Sequence, residues 1–344
     1  MGLLRTLHGW CGALLAFALA LIAFTGAASV FSDDVARFCA PKAAASATAT
    51  DAFALGGALQ AFEGRGGGAV RAVEFTYGPG VHRVYLQSGG GAFIDSRGAA
   101  IRSWAAPGYF DEWILSLHNQ FLLGDPGGRL VGLAGLAAFA MGLSGLVLFL
   151  PAWRGFAPRL WPATGARRDL IVVHKTLGVF LLIPLLVQTA TGAAMAFEGP
   201  LRHGLGLDGA PPPLQAQGPV AGPAPWTRVL QAAERAAPGA KILGVSKPWG
   251  VGEGIYKVEV SSSGAGETTL MIDASVGRAL APRPVPRRGL AAQVMDGLLA
   301  VHSGAWGGLP ARIALALAAV GLGATSLVGA WSFVLKRRRV RKSV

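Results

Sequence analysis

Four of the six histidines in this chain recur at matching positions of a sequence that repeats itself. His8 and His174 lie near the start of two apolar stretches, and His118 and His302 precede two others. Imidazole nitrogen is a common ligand for iron, and a b-type haem takes one such donor on each face. The four histidines therefore predict two bis-histidine haem sites. The alternative is that each is an interfacial residue that only forms hydrogen bonds.

The repeat is read from the residues that follow each histidine. His8 and His174 are each followed by glycine at +4, Thr-Gly at +17 and +18, and phenylalanine at +23. These residues are Gly12, Thr25, Gly26 and Phe31 in the first copy, and Gly178, Thr191, Gly192 and Phe197 in the second. His118 and His302 are each followed by glycines at +6 and +27, and these are Gly124, Gly145, Gly308 and Gly329. The repeated unit is therefore helix, soluble insert, helix.

Composition places these histidines in a membrane protein. The chain is 52% hydrophobic and only 14% charged, with a mean hydropathy of +0.46, whereas soluble domains are about a quarter charged. Four apolar runs, 7–31, 130–150, 170–197 and 312–335, are long enough to cross roughly 30 Å of hydrocarbon. The first resembles a signal peptide, but its interior copy cannot be one, so we interpret it as a retained anchor.

Basic residues predict the orientation, because Lys and Arg of short loops stay in the cytoplasm. The loop between the second and third runs carries four arginines, and the tail after the fourth run is strongly basic. Both termini are therefore expected in the cytoplasm. Much of the net charge of +13 is this bias, and no nucleic-acid-binding motif accompanies it. We expect contact with membrane lipid and none with nucleic acid.

The expected fold is a mainly α membrane protein, a four-transmembrane-helix bundle with two small α+β inserts and an internal two-fold repeat. The predicted segments are transmembrane helix 1 (1–35), insert 1 (36–108), a helix before transmembrane helix 2 (109–152), a cytoplasmic loop (153–169), transmembrane helix 3 (170–200), a linker and insert 2 (201–290), a segment with transmembrane helix 4 (291–335), and a basic tail (336–344).

Each insert has a short helical pattern, at 53–62 in the first and 226–236 in the second, followed by strand-like runs. The second ends in Ile-Asp-x-x-x-Gly-x-x-Leu at 272–280, and the first has a shortened version, Ile-Asp-Ser-Arg-Gly, at 94–98. These features resemble a PepSY domain, and nearly the whole chain resembles the PepSY-associated transmembrane family. The resemblance implies a bacterial inner-membrane ferric-siderophore reductase with PepSY-like domains in the periplasm.

Topology pairs the histidines. His8 and His174 enter the membrane from the cytoplasmic side, whereas His118 and His302 precede helices that return from the periplasm. We therefore expect one haem between His8 and His174 and another between His118 and His302. Four glycines, which allow close approach of the backbone, each lie about one helix length beyond a histidine of one pair and therefore near the other pair. Gly26 and Gly192 lie near the periplasmic haem, and Gly145 and Gly329 lie near the cytoplasmic one.

Cationic residues at the membrane surface are candidate partners of haem propionates, or plain topological anchors. Arg129 and Arg312 lie near the periplasmic level, and Arg5, Arg168 and Lys175 near the cytoplasmic level. His82 and His203 have no counterpart in the repeat, and His82 is interpreted as a solvated strand residue.

The remaining motifs limit the chemistry. The chain has no Cys-x-x-Cys-His for covalent haem attachment, and no dinucleotide-binding, Walker or hydrolase motif. Electrons are therefore expected to come from a cytoplasmic reductase or a quinol, and the family resemblance implies that the acceptor is a ferric siderophore or another periplasmic Fe(III) chelate. No catalytic residue can be assigned, because outer-sphere transfer needs only proximity. The alternatives are a non-redox PepSY module that binds or inhibits a periplasmic partner, and a haem subunit of a partner oxidoreductase.

Overall fold

The computed structural model describes residues 2–41, 51–78, 80–207, 214–219, 225–247, 253–262, 266–281 and 289–341. Contacts divide the chain into two units. The helical unit comprises Met1–Asp33, Trp113–Asp208 and Arg287–Val344, and the sheet unit comprises Asp34–Glu112 and Gly209–Pro286. Parts of the predicted inserts and residues 342–344 of the predicted tail lie outside the described residues.

The elements follow one another along the chain in a pattern that occurs twice, with helices flanking four strands. In order they are α1 (Gly2–Ser29), α2 (Ser32–Phe38), α3 (Ala52–Gly64), β1 (Val70–Gly78), β2 (Val81–Leu86), β3 (Gly91–Asp95), β4 (Ala100–Trp104), α4 (Phe110–Gln120), α5 (Asp125–Phe149), α6 (Arg167–Phe180), α7 (Leu182–Ala196), α8 (Glu198–Gly204), α9 (Trp226–Ala236), β5 (Lys241–Ser246), β6 (Ile255–Ser262), β7 (Gly266–Asp273), β8 (Arg278–Ala279), α10 (Leu290–Ser303) and α11 (Gly308–Arg341).

The prediction of four continuous membrane spans is wrong. Within the described residues, three stretches are long and apolar enough to cross a membrane, Gly2–Ser29, Asp125–Gly155 and Ala305–Arg337. The run at 170–197 is instead a broken pair, α6 and α7, bent by 66°. Pro184 gives the physical reason, because it lacks the N–H that would bond to the carbonyl of Phe180, where α6 ends.

Small residues fill the contacts inside the helical unit. Helix α1 packs against α11 and α5, α5 packs against α7, and α6 packs against α11. The buried residues of α1 and α5 are nearly all small: Ala16, Ala20, Thr25, Gly127, Gly132, Ala134, Ala138 and Gly142. Large apolar side chains such as Leu14, Phe17 and Ile183 are exposed instead. Small residues inside and large apolar ones outside are what membrane helices require, because lipid solvates the outer surface.

The prediction of two small inserts is also wrong, since the inserts share one sheet. The described strands form an eight-stranded antiparallel sheet in the order β4-β3-β2-β1-β5-β6-β7-β8. Strands β1 and β5 join the two halves through the pairs Ala72–Ser246, Val73–Val245 and Glu74–Gly244. Each half alone would leave β1 or β5 as an unpaired edge, and pairing them satisfies both rows of backbone groups. A four-helix bundle with separate inserts therefore does not describe this chain.

The core of the sheet unit lies between the strands and helices α3 and α9. Leu59, Val229, Leu230 and Ile272 are fully buried there. Helix α3 packs closely on α9, since a Cβ added to Gly56 would lie 2.4 Å from Thr227 Cα. The helices predicted at 53–62 and 226–236 are thus confirmed. The two inserts share one hydrophobic core.

A second cluster surrounds the fully buried Arg83 on β2. The guanidinium group of Arg83 contacts Asp111 at 2.6 Å and Glu112 at 3.1 Å, and it lies 4.8 Å from the ring centre of Tyr85. The neighbouring His82 is buried rather than solvated, which corrects the sequence interpretation. Burial lowers the pKa of His82 to about 4, although Asp95 opposes the shift.

Replacing Arg83 tests whether this cluster stabilises the sheet unit. In Arg83→Ala two carboxylates lose their buried partner, and we expect the free energy of unfolding to fall by about 3–5 kcal/mol. Urea unfolding of the purified chain, followed by tryptophan fluorescence, measures the change. Arg278→Ala, which removes an exposed arginine of β8, is the control, and an equal loss in both variants would contradict the assignment.

Candidate functional site

The structure brings the four repeated histidines together as two pairs within the helical unit. His8 on α1 and His174 on α6 have ring centres 6.3 Å apart, with planes inclined by 72°. His118 on α4 and His302 on α10 have ring centres 6.1 Å apart, with planes inclined by 44°. Each pair therefore takes one histidine from each copy of the repeat, in the combination that topology predicts.

The spacing of each pair fits two imidazoles on opposite sides of one iron. A metal–imidazole bond is about 2 Å long, and the ring centre lies roughly 1 Å beyond the nitrogen. Two axial imidazoles of one metal therefore have ring centres about 6 Å apart. The observed 6.3 Å and 6.1 Å agree with this value.

Hydrogen bonds define the tautomer of the first pair. His174 Nδ1 lies 3.0 Å from the carbonyl oxygen of Thr325, and since a carbonyl only accepts, Nδ1 carries the proton. His8 Nδ1 lies 2.8 Å from Ser144 Oγ. The Ser144 hydroxyl donates its own hydrogen to the carbonyl of Met141, so it accepts from His8. In both rings Nε2 is thus the nitrogen that retains a lone pair.

The second pair follows the same logic. His118 Nδ1 donates to the carbonyl of Ile22 over 2.9 Å. His302 Nδ1 lies 2.9 Å from Thr191 Oγ1, whose hydroxyl donates to the carbonyl of Val187, so Thr191 accepts from the imidazole. A histidine that binds a metal through one nitrogen usually donates from the other to such an acceptor. All four rings have this arrangement.

Each of the four predicted glycines makes room for one imidazole of another helix. A Cβ added to Gly26 would lie 2.7 Å from His118 Cε1, and one added to Gly192 would lie 3.0 Å from His302 Cε1. At Gly145 and Gly329 the corresponding distances, to Cε1 of His8 and of His174, are 3.3 Å and 2.9 Å. The sequence interpretation placed these glycines near the haems because glycine allows close approach of the backbone, and the structure places them directly against the histidine rings.

The hydroxyl side chains beside the histidines are residues of the candidate site that the sequence alone did not assign. Ser144 and Thr191 each precede one of the four glycines, and Thr25, which precedes Gly26, lies 3.4 Å from His118 Nδ1. A hydroxyl residue followed by glycine therefore marks the acceptor of His8 and of His302, and a second, longer contact of His118 beside its shorter bond to Ile22. The fourth position departs from it, because Val328 precedes Gly329 and the Thr325 carbonyl accepts instead.

A single cavity of about 1660 Å³ connects the two pairs. Drug-sized ligands occupy pockets of about 300–1,000 Å³, so this cavity exceeds the space that one such ligand needs. All ten candidate residues line it, namely His8, Gly26, His118, Arg129, Gly145, His174, Gly192, His302, Arg312 and Gly329. The donor set and the space together fit two haems, each held by two imidazoles.

Cationic side chains line the cavity as well. Arg129 is exposed, whereas Arg312 donates to the carbonyl of Val30 and stacks on Phe31 at 4.8 Å. Arg5 and Lys175 also line the cavity, but Arg168 does not, since its side chain is 85% exposed beside Asp169.

Arg167 lines the cavity and was not assigned from the sequence. Its Nε is buried and has no hydrogen-bond partner within the part of the chain that the structure describes. A buried N–H without a partner is costly. Arg167 is therefore a better candidate than Arg168 for contact with a carboxylate inside the cavity.

Comparison with known families gives one match. The sequence model of the PepSY-associated TM region matches residues 5–336, which is nearly the whole chain. A comparison with curated proteins found no match.

Proposed function

The chain belongs to the family of the PepSY-associated TM region, and from this premise we propose that it is a di-haem electron-transfer protein of the bacterial inner membrane. Its acceptor would be a periplasmic Fe(III) chelate, in the first place a ferric siderophore. The observation that carries the proposal is that two pairs of imidazoles line one cavity. In each ring Nδ1 donates a hydrogen bond within the protein, and Nε2 is available to bind a metal.

The residues of the chain supply binding and orientation. Each b-type haem, when bound, would take up and release one electron. His8 and His174 would hold one haem, and His118 and His302 the other, with their planes fixed by the hydrogen bonds at Nδ1. The propionates would meet Arg5, Arg167 and Lys175 at one level, and Arg129 and Arg312 at the other.

The direction of transfer rests on charge. The basic loop 153–169 and the basic tail support cytoplasmic termini, which would put the pair His8/His174 on the cytoplasmic side. Electrons would enter there from a cytoplasmic reductase or a quinol. One electron delivered at the pair His118/His302 converts one Fe(III) into Fe(II), which the siderophore holds weakly.

Haem content tests the proposal directly. Pyridine haemochrome analysis of the purified full-length chain is expected to give two b-type haems per polypeptide. Protein without a Soret band would overturn the proposal and favour a non-redox module that binds a periplasmic partner.

A second measurement separates a reductase from an electron-carrying subunit. The chemically reduced holoprotein, mixed with a ferric siderophore, is expected to be reoxidised as Fe(II) appears, which a ferrous chelator reports. Two haems that remain reduced would indicate that a partner oxidoreductase performs the transfer to substrate.

A further inference from the structure

Within each pair, the two imidazole protons have different kinds of nearest acceptor, and the difference is the same in both pairs. In each pair, one histidine donates to a backbone carbonyl: His174 to Thr325 and His118 to Ile22. The other donates over a short distance to a side-chain hydroxyl: His8 to Ser144 over 2.8 Å, and His302 to Thr191 over 2.9 Å, with the backbone carbonyl of Gln188 as a second acceptor for His302. A carbonyl acceptor is part of the helix backbone and is present whatever the side chain. A hydroxyl acceptor depends on the identity of its residue, so a substitution can remove it.

The two hydroxyls are held as acceptors by their own helices. Ser144 Oγ donates to the carbonyl of Met141 over 3.0 Å, and Thr191 Oγ1 donates to the carbonyl of Val187 over 2.7 Å. With the hydroxyl hydrogen engaged, the oxygen lone pairs remain for the imidazole N–H. The same geometry therefore occurs at both pairs, on α5 for His8 and on α7 for His302.

We propose that Ser144 and Thr191 are positioning residues that set the reduction potentials of the two haems separately, Ser144 through His8 and Thr191 through His302. This inference rests on the proposed function, because it assumes that Nε2 of each histidine binds iron. It goes beyond that function by assigning each haem its own control residue.

The physical reason is the effect of the hydrogen bond on the ligand nitrogen. An acceptor on Nδ1–H makes Nε2 a stronger donor, and a stronger donor stabilises Fe(III) more than Fe(II) because Fe(III) carries the larger charge. Loss of the hydroxyl therefore favours Fe(II) and raises the potential. Loss of Ser144 also leaves the partly buried N–H of His8 unpaired, which weakens the hold on the ring, whereas His302 keeps the Gln188 carbonyl.

Redox titration of purified full-length holoprotein, followed in the visible spectrum, tests the assignment. A tenfold change in the relative stability of Fe(III) and Fe(II) corresponds to 59 mV for one electron. We expect Ser144→Ala to raise the potential of the His8/His174 haem by about that amount and to leave the other haem unchanged. Thr191→Val is expected to raise the potential of the His118/His302 haem and to leave that of the His8/His174 haem unchanged.

Matched variants separate the hydrogen bond from packing. Ser326→Ala and Thr189→Val remove hydroxyls that also line the cavity and donate to Leu322 and Leu185 carbonyls, and neither potential should move. Ser144→Thr and Thr191→Ser keep the hydroxyl and should restore the wild-type values.

Other outcomes are also decisive. Loss of only the paired haem in Ser144→Ala, with the second haem spectrally intact, supports the proposal, since it reports a weakened ligand. Unchanged potentials, equal shifts of both haems, or loss of both haems would overturn it. Failure of the proposed function looks different, because the wild-type chain itself would then lack haem.

Discussion

His8→Ala and His174→Ala are each expected to lose the same haem and to leave the second one spectrally intact. His118→Ala and His302→Ala are expected to lose that second haem. The reason is geometric, since the ring centres lie 6.3 Å apart in one pair and 6.1 Å apart in the other. Removing either ring would therefore take away one of the two imidazoles that would hold that haem. Pyridine haemochrome analysis should fall from two haems per chain to one in each variant.

Double variants make this test sharper. His8→Ala combined with His174→Ala should retain one haem, whereas His8→Ala combined with His118→Ala should retain none. His203→Ala, which changes an exposed histidine of α8, is the control and should keep two. The pairing is wrong if the His8→Ala and His118→Ala single variants remove the same haem.

Gly26→Ala is expected to weaken the binding of the His118/His302 haem, and Gly329→Ala the binding of the His8/His174 haem. The added Cβ would lie 2.7 Å from His118 Cε1 in the first case and 2.9 Å from His174 Cε1 in the second. Both distances are shorter than the roughly 3.5 Å of a favourable contact, so the imidazole must move. We expect a loss of haem affinity of about 10–100-fold at the affected pair, as for other changes that displace a metal ligand.

A glycine from the same repeat provides the control for this prediction. Gly178 lines the same cavity, but a Cβ added there meets nothing within 4 Å, so Gly178→Ala should bind haem like the wild type. Titration of apoprotein with hemin measures all three affinities. Equal affinities for Gly26→Ala and Gly178→Ala would mean that the imidazole does not need the space.

The pairing of the histidines could be predicted because it depends only on the order of the helices along the chain and on the direction in which each helix runs. Two histidines that enter from the same side of the membrane lie at the same depth, whatever the details of helix packing. The same argument related Gly26 and Gly192 to His118 and His302, since a helix rises 1.5 Å per residue. The contact partner of each glycine could not be predicted, because it depends on which faces of the helices meet.

The errors in the fold have equally specific causes. Mean hydropathy treats 170–197 as one span, and it does not register that Pro184 interrupts the hydrogen bonding of a helix. The strand patterns of the two inserts were read separately, so the pairing of Val73 with Val245 had no local signal. His82 was misinterpreted because alternation along β2 fails where the strand is buried on both faces, as at residues 81–84.

The joint between β1 and β5 has a consequence for how the chain is made. Val73 pairs with Val245, and a ribosome that adds 5–20 residues per second needs about 10–30 s to cover that interval. For most of this time the first four strands have been made while β1 lacks its partner, and an unpaired edge invites pairing with other chains. Completion of the sheet is therefore a late event in biosynthesis, and the first insert depends on the second for protection against aggregation.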